Sequence, residues 1–347
     1  LRSNHLIAPC AIVLLLLVSC NSSNGGGHEA KASPSPTKHA VAAAPTTCPY
    51  TGRKPAKGVS LQRPAIAVKI ENSPEARPQS GLDHADVVFE ELVEGGITRF
   101  AAIFQCDSVK KAGPVRSARF DDPSFIKPLT PGLAFAGANA IVTKSLTKHH
   151  MKLFTDFNDS QALYRVPPGN TSEHSLFANV KLLLHQARAK HVPPPRPHLL
   201  RFGPAAKAMK KTKKVELKFE DSSVAESIVW RWKGNTWRRF ESGQPFMSAD
   251  GKQIAAPNLL IQEVNVKLSK GLVDVAGNPS PRISFMGSGK ALLFRNGGVV
   301  KGKWRRAHDG AFRYVDKTGK PLKLAPGPTW IELLPSQKGP IKGTIHF

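Results

Sequence analysis

Acidic residues are scarce in this chain. Only 25 Asp and Glu stand against 50 Lys and Arg in 347 residues, a formal net charge of +25. No apolar run reaches the ~20 residues that a membrane-spanning helix needs. The nearest candidate, Leu6 to Val18, is too short and runs almost at once into the polar tract Asn21 to Gly27. Metal-ligand spacing is missing too: His149-His150 and His174 have no cysteine or carboxylate at the intervals metal sites use, so no metal is expected. Gly287-Ser288-Gly289-Lys290 lacks the upstream glycine of a phosphate loop and is followed by Ala291, which argues against a nucleotide site. There is no Gly-x-Ser-x-Gly elbow, and Ser117 has no base evident in the sequence. No cofactor is expected from these patterns.

What is present begins at the N-terminus. Basic Arg2, the apolar run Leu6 to Val18 and small Ser19 follow the order of a secretory signal. We read residues 1–19 as a signal peptide, with a buried core helix as the alternative. Leu17-Val18-Ser19-Cys20 resembles the lipobox of bacterial lipoproteins. That resemblance implies a diacylglyceryl group on Cys20, cleavage just before it, and a protein held outside the cell membrane by lipid. Each buried CH₂ contributes ~0.8 kcal/mol, so more than one acyl chain gives a stable anchor. Residues 20–47 then form the lipidated cysteine and a flexible tether rich in Ser, Gly, Ala, Pro and Thr.

Export changes the meaning of the charge. The signal carries off only one charged residue, Arg2, so the body stays strongly basic, but nucleic acid is no longer a natural partner. The polyanions outside are lipid headgroups, phosphate-bearing wall polymers and acidic glycans; plain solubility is the other reading. Of four cysteines, Cys10 leaves with the signal and Cys20 is lipidated. Cys48 and Cys106 remain, an even number in an oxidising space, and a disulfide between them is expected. Two separate buried thiols are the alternative.

The body reads as two parts. Residues 48–200 suggest an α/β or α+β N-terminal domain: strands over Ala65 to Ile70, Asp86 to Leu92, Thr98 to Cys106 and Leu133 to Ala136, and a helix over Ser175 to Lys190. Val192 to Pro197, with four prolines, marks a boundary. Residues 215–335 suggest a β-rich antiparallel domain. Hairpins turn at Gly234-Asn235, at Asn296-Gly297-Gly298 and at Lys317 to Lys320, and Asn258 to Leu268 is a long strand. The Lys207 to Lys218 stretch reads as a solvated face. All five tryptophans lie in this second part, as core packing or as a sugar-stacking platform.

Several separated motifs occur in a recognisable order: Ile70-Glu71-Asn72-Ser73-Pro74-Glu75-Ala76-Arg77-Pro78, Val93-Glu94-Gly95-Gly96-Ile97-Thr98-Arg99-Phe100, Gly113-Pro114-Val115-Arg116-Ser117-Ala118-Arg119, Gly302-Lys303-Trp304 and Pro328-Thr329-Trp330-Ile331-Glu332. Together they resemble the YerB-like bacterial lipoproteins, a family defined by a domain of unknown function. The resemblance spans about Pro49 to Pro335 and implies a location and a fold unit. Departures occur at His174-Ser175-Leu176-Phe177 and Gly137-Ala138-Asn139, where family members often carry His-Asn-Leu-Tyr and His-Ala-Gly-Gly.

The arginines carry the chemistry. Arg116 and Arg119, three apart, would share a face on a helical turn with Ser117 beside them, and Arg77 and Arg99 could join them. Guanidinium forks grip phosphate or carboxylate in bidentate fashion. The alternative is that they pair with Glu90, Glu91 or Glu94 and pin loops. The expected function is an envelope lipoprotein binding an anionic wall or membrane component, or a partner protein. The alternative is an enzyme loosely similar to the LytR-CpsA-Psr phosphotransferases, with Arg99, Arg116 and Arg119 on a polyprenyl pyrophosphate and Asp121 or Asp122 on Mg²⁺.

Overall fold

The computed structural model describes residues 46–158, 161–205, 209–219, 227–307 and 310–347. The expected signal and Cys20 lie outside these residues. The elements in chain order are β1 (Ile66–Glu71), β2 (Val87–Leu92), β3 (Thr98–Phe104), α1 (Asp122–Ile126), β4 (Gly132–Ala134), α2 (Ala140–Lys148), β5 (Lys152–Phe154), β6 (Leu163–Arg165), β7 (Leu176–Ala178) and α3 (Val180–Ala189). The second half adds β8 (Lys210–Lys211), β9 (Lys214–Phe219), β10 (Ile228–Lys233), β11 (Thr236–Glu241), β12 (Gln244–Pro245), β13 (Ala255–Ala256) and β14 (Asn258–Val273). It ends with β15 (Pro279–Ser284), β16 (Gly287–Arg295), β17 (Gly298–Arg306), β18 (Arg313–Asp316), β19 (Thr329–Pro335) and β20 (Gly343–His346).

Strand dominates, and the C-terminal part is β-rich with mostly antiparallel pairing, as its hairpin signals require. The turns fall where the sequence puts them. Asn235 and Asn296 take positive φ of 66° and 50° beside Gly234 and Gly297, the left-handed backbone that a two-residue hairpin loop needs. Both halves of the chain contribute to one 12-stranded sheet in the order β18-β17-β16-β14-β19-β2-β3-β1-β4-β5, with β15 on β14 and β8 on β17. Its middle is β19, parallel to both β14 and β2 and buried at every residue. A strand covered on both faces reads as a near-continuous apolar run; Trp330-Ile331-Glu332-Leu333-Leu334 fits that except at Glu332.

A second sheet, β12-β11-β10-β9-β20 with β13 on β11, packs on one face of the first. Trp230 stacks edge-on to Trp330 at 5.3 Å, Trp237 to Phe294 at 5.6 Å, and Phe246 to Phe100 at 6.0 Å. Trp230, Trp237, Trp304 and Trp330 are core residues. Only Trp232 is half-exposed, so the core-packing reading holds for four of the five. α1 packs on the opposite face, where Phe125 meets Phe89 at 5.1 Å.

Two sequence expectations change. The helix begins at Val180, not Ser175. Asn179 caps it, accepting from Leu182 N at 3.2 Å, while Leu176–Ala178 extends against Leu163–Arg165. An Asn N-cap outranks apolar periodicity as a boundary signal. Residues 116–119 form no helical turn. They run extended, Arg116 N donating to Lys69 O at 3.0 Å and Ala118 N to Gly137 O at 3.1 Å, because β1 and the segment after β4 offer open backbone groups on both sides. Gly113 starts this stretch at φ 145°, where a Cβ would lie 2.8 Å from Val115 N.

Candidate anion-binding site

Register builds the site. On β3, Arg99 lies opposite Glu71 of β1 and Glu91 of β2. The 113–119 stretch pairs antiparallel with the end of β1 at Ile70 and Val115 and brings Arg116 and Arg119 to the same place. Arg116 Nε lies 3.0 Å from Glu71 Oε1, and its Nη1 lies 2.8 Å from Glu173 Oε2. Arg119 pairs with Glu94, whose other partner is the Ser280 hydroxyl of β15. Glu71 also faces His174, 2.8 Å from Nδ1.

Arg99 differs from its neighbours. It is 3 % exposed, and no described carboxylate forms an ion pair with it. Its Nη1 donates to Ser117 O at 3.2 Å, and its Nε is buried without an acceptor. Burial, then repulsion from Arg119 and Arg116, push its guanidinium down to about 9 against the pull of Glu94 and Glu71. A buried charge needs a partner or a ligand. The structure therefore brings Arg99, Arg116, Ser117 and Arg119 together. The hydroxyl side of Ser117 faces Gly137, whose Cβ, if present, would lie 3.3 Å from Oγ.

Arg77 goes elsewhere. Its Nη2 lies 2.7 Å from Glu241 Oε1 and donates to Asn72 O at 2.8 Å, and its guanidinium sits 5.7 Å from the Phe246 ring. It belongs to a buried network between the two sheets. There Arg239 Nη2 is 2.9 Å from both Glu90 Oε1 and Glu241 Oε2, and Trp230 Nε1 donates to Glu332 Oε1 at 2.9 Å. Of the three glutamates considered as arginine partners, only Glu94 pairs with the cluster. Glu90 binds Arg239 on the other face, and Glu91 pairs with Lys69. The sequence reading missed Arg239, Glu241 and Glu332; the sole signal was a Glu inside an apolar run.

The carboxylates proposed for Mg²⁺ are engaged by protein groups. Asp121 accepts from Arg282 Nε at 3.0 Å, Arg282 Nη2 at 3.2 Å and Ile283 N at 2.8 Å. Asp122 lies 2.8 Å from Lys69 Nζ and accepts from Arg119 N at 2.7 Å. Elsewhere, Asp83, His84 and Asp250 hold ligand atoms within 4.8 Å of one another. Lys252 already supplies their cation, 2.8 Å from Asp250 and 3.7 Å from Asp83.

Cys48 and Cys106 form a disulfide, their Cα atoms 5.9 Å apart, within the usual range. It fastens the entry segment to the end of β3. Among the described residues no helix is long and apolar enough to cross a membrane.

The fold carries an arginine cluster, and comparison gives its class. The N-terminal domain of the DUF3048 family, described as a protein of unknown function, matches residues 50–193, and the family's C-terminal domain matches residues 215–331. The chain belongs to the DUF3048 family. It is 31% identical over 337 residues, 94% of each chain, to the Bacillus subtilis (strain 168) protein named "Putative lipoprotein YerB". It also matches the crystal structure of YerB from Bacillus subtilis with a TM-score of 0.70 and 27% identity, covering 86% of this chain and 99% of that one.

Proposed function

We propose that the chain is an extracytoplasmic lipoprotein, anchored to the cell membrane through Cys20, whose Arg99, Arg116 and Arg119 bind an anionic component of the envelope. The name of the relative supports the location, and so does the Leu17 to Cys20 motif. The site reading rests on one observation: Arg99 is buried beside two further arginines and, among the described residues, has a single hydrogen bond and no ion-paired carboxylate. A phosphate or carboxylate group there would neutralise the repulsion and fill the guanidinium donors. Arg116 and Arg119, each about one-fifth exposed at the side chain, would form the rim that a ligand reaches first. No observation favours the phosphotransferase alternative, since Asp121 and Asp122 are held by Arg282 and Lys69.

The test uses the chain from Ala44 onward, which is one compact unit, with inorganic pyrophosphate as the probe. Calorimetry should show salt-sensitive binding, and Arg116→Ala with Arg119→Ala should weaken it at least ~10-fold. Unchanged binding in a folded double variant would make these arginines structural.

A further inference from the structure

The β6–β7 hairpin brings two more side chains to the arginine cluster. Ala112 and Ala178 pair antiparallel, and Val115 N donates to Leu176 O at 2.7 Å. The residues before Leu176 therefore run alongside Arg116, and the β6–β7 loop delivers Glu173 and His174 there. Glu71 lies 2.8 Å from His174 Nδ1, and the ring's Nε2 lies 3.7 Å from Glu173 Oε1. The other oxygen of Glu173 lies 2.8 Å from Arg116 Nη1. One carboxylate thus spans Arg116 and His174.

The three carboxylates at the cluster are not equivalent. The side chains of Glu71 and Glu94 are 2 % and 5 % exposed, and buried serine hydroxyls, Ser73 and Ser280, donate to them. Glu173 is 60 % exposed, and its described partners are Arg116 and His174. An ion pair so exposed holds weakly. Three guanidiniums against Glu71 and Glu94 leave one positive charge over, and Glu173 compensates it.

We infer that Glu173 is an internal stand-in for the ligand's anionic group, that His174 is a further binding residue, and that the ligand presents a terminal phosphate, not a phosphodiester or a single carboxylate. The inference rests on the anion-site reading proposed above. A tethered carboxylate competes at an effective concentration in the millimolar range, so a free monoanion gains nothing by taking its place. With Glu173 in solvent and His174 as imidazolium, two positive charges are left over, which a phosphate dianion matches. Its oxygens would take the Arg116 Nη1 and His174 Nε2 donors that Glu173 releases. Buried Arg99 Nε, which has no acceptor, is a further donor of the same cluster. A lipid-linked phosphate and a soluble phosphomonoester share this group.

The experiment is calorimetry on the chain from Ala44 onward, with glycerol phosphate as the dianion and dimethyl phosphate as the monoanion. Glycerol phosphate should bind at least ~10-fold tighter than dimethyl phosphate. Glu173→Gln should tighten glycerol phosphate at least ~3-fold further, and His174→Ala should weaken it at least ~5-fold. Glu173 lies at the surface, so Glu173→Gln keeps the test decisive even if His174→Ala fails to fold. Phosphatidic acid in phosphatidylcholine vesicles presents the same phosphomonoester from a lipid. Tightening by Glu173→Gln on either source supports the inference, and the source bound more tightly is the ligand's. If dimethyl phosphate binds as well as glycerol phosphate, the inference falls. It also falls if Glu173→Gln binds no tighter than wild type while Arg116→Ala with Arg119→Ala abolishes binding; the anion site then stands without it. Failure of both wild type and Glu173→Gln to bind these probes or pyrophosphate would remove the anion site itself, and the inference with it.

Discussion

Glu332→Gln is expected to stabilise the protein at neutral and alkaline pH. Glu332 of β19 stands beside Glu90 of β2 in parallel register, and both are fully buried. Burial holds the Glu332 carboxyl well above its ordinary 4.5, and the Glu90 carboxylate raises it further against the pull of Arg239. The hydrogen bonds agree: Oε1 accepts from Trp230, while Oε2 is buried with no donor. A proton on Oε2 could be donated to Glu90. The folded state thus keeps a proton that the unfolded state releases above 4.5, so this group's stability contribution falls as pH rises from there toward the folded value. Each pH unit above the ordinary value over which the folded state holds that proton costs ~1.36 kcal/mol. Gln keeps the shape, accepts from Trp230, can donate to Glu90 and does not titrate. Guanidinium unfolding, followed by tryptophan fluorescence, should show the variant more stable than wild type near pH 8. The difference should shrink toward pH 5, because the slope of stability against pH becomes shallower. Glu91, raised to about 8, and Asp86, raised to about 6, both chiefly by burial, leave a residual slope of the same sign. A variant destabilised equally at both pH values would refute the shared proton.

Replacing Cys106 with Ser should cost about 4 kcal/mol by the same assay, from loop entropy over a sequence separation of 58; unreduced digests of natively exported protein should show the bridged peptide, and free thiols at both positions would refute it. Cys20→Ala should release the protein from the membrane fraction or leave an unprocessed precursor. Normal processing and retention in that variant would remove the lipid anchor from the proposal.

The hairpins were legible because their signals are local. Asn and Gly at the turns and alternating burial in strands such as Lys214–Phe219 and Thr236–Glu241 need only a few residues to declare themselves. Arg99, Arg116 and Arg119 were legible as a group through residue type, but for a wrong geometric reason. They converge through strand register and the pairing of the 113–119 stretch with the end of β1, not through a helical turn. The pairing of β19 with β2 joins residues some 240 apart, and nothing local encodes it. Arg239 was hidden for the same cause. Beside Arg238 in a basic stretch it reads as surface, yet its carboxylate partner Glu90 lies 149 positions earlier. Only Glu332, polar within an apolar run, carried a trace of that network.

The order of the main sheet makes the two family domains depend on each other. β2, β3, β1, β4 and β5 lie on one side of β19, and β14, β16, β17 and β18 lie on the other. Without the C-terminal residues, β2 would present an open edge, and Glu90 would lose Arg239 and Trp330 from its surroundings. The dependence reaches the arginine cluster as well. Ser280 holds Glu94, the partner of Arg119, and Arg282 holds Asp121 just beyond the 113–119 stretch. Against the upward push of burial, hydrogen bonds from Asn278 and Ala276 hold Asp274, at the tip of the β14–β15 hairpin, below the usual carboxylate range, with Arg119 adding the smallest pull. Through Ser280 and Arg282 the hairpin thus touches Glu94 and Asp121, beside the proposed cluster. A ligand bound by Arg99, Arg116 and Arg119 would act on both halves at once, because displacing Glu94 from Arg119 also disturbs the contact that seats the hairpin.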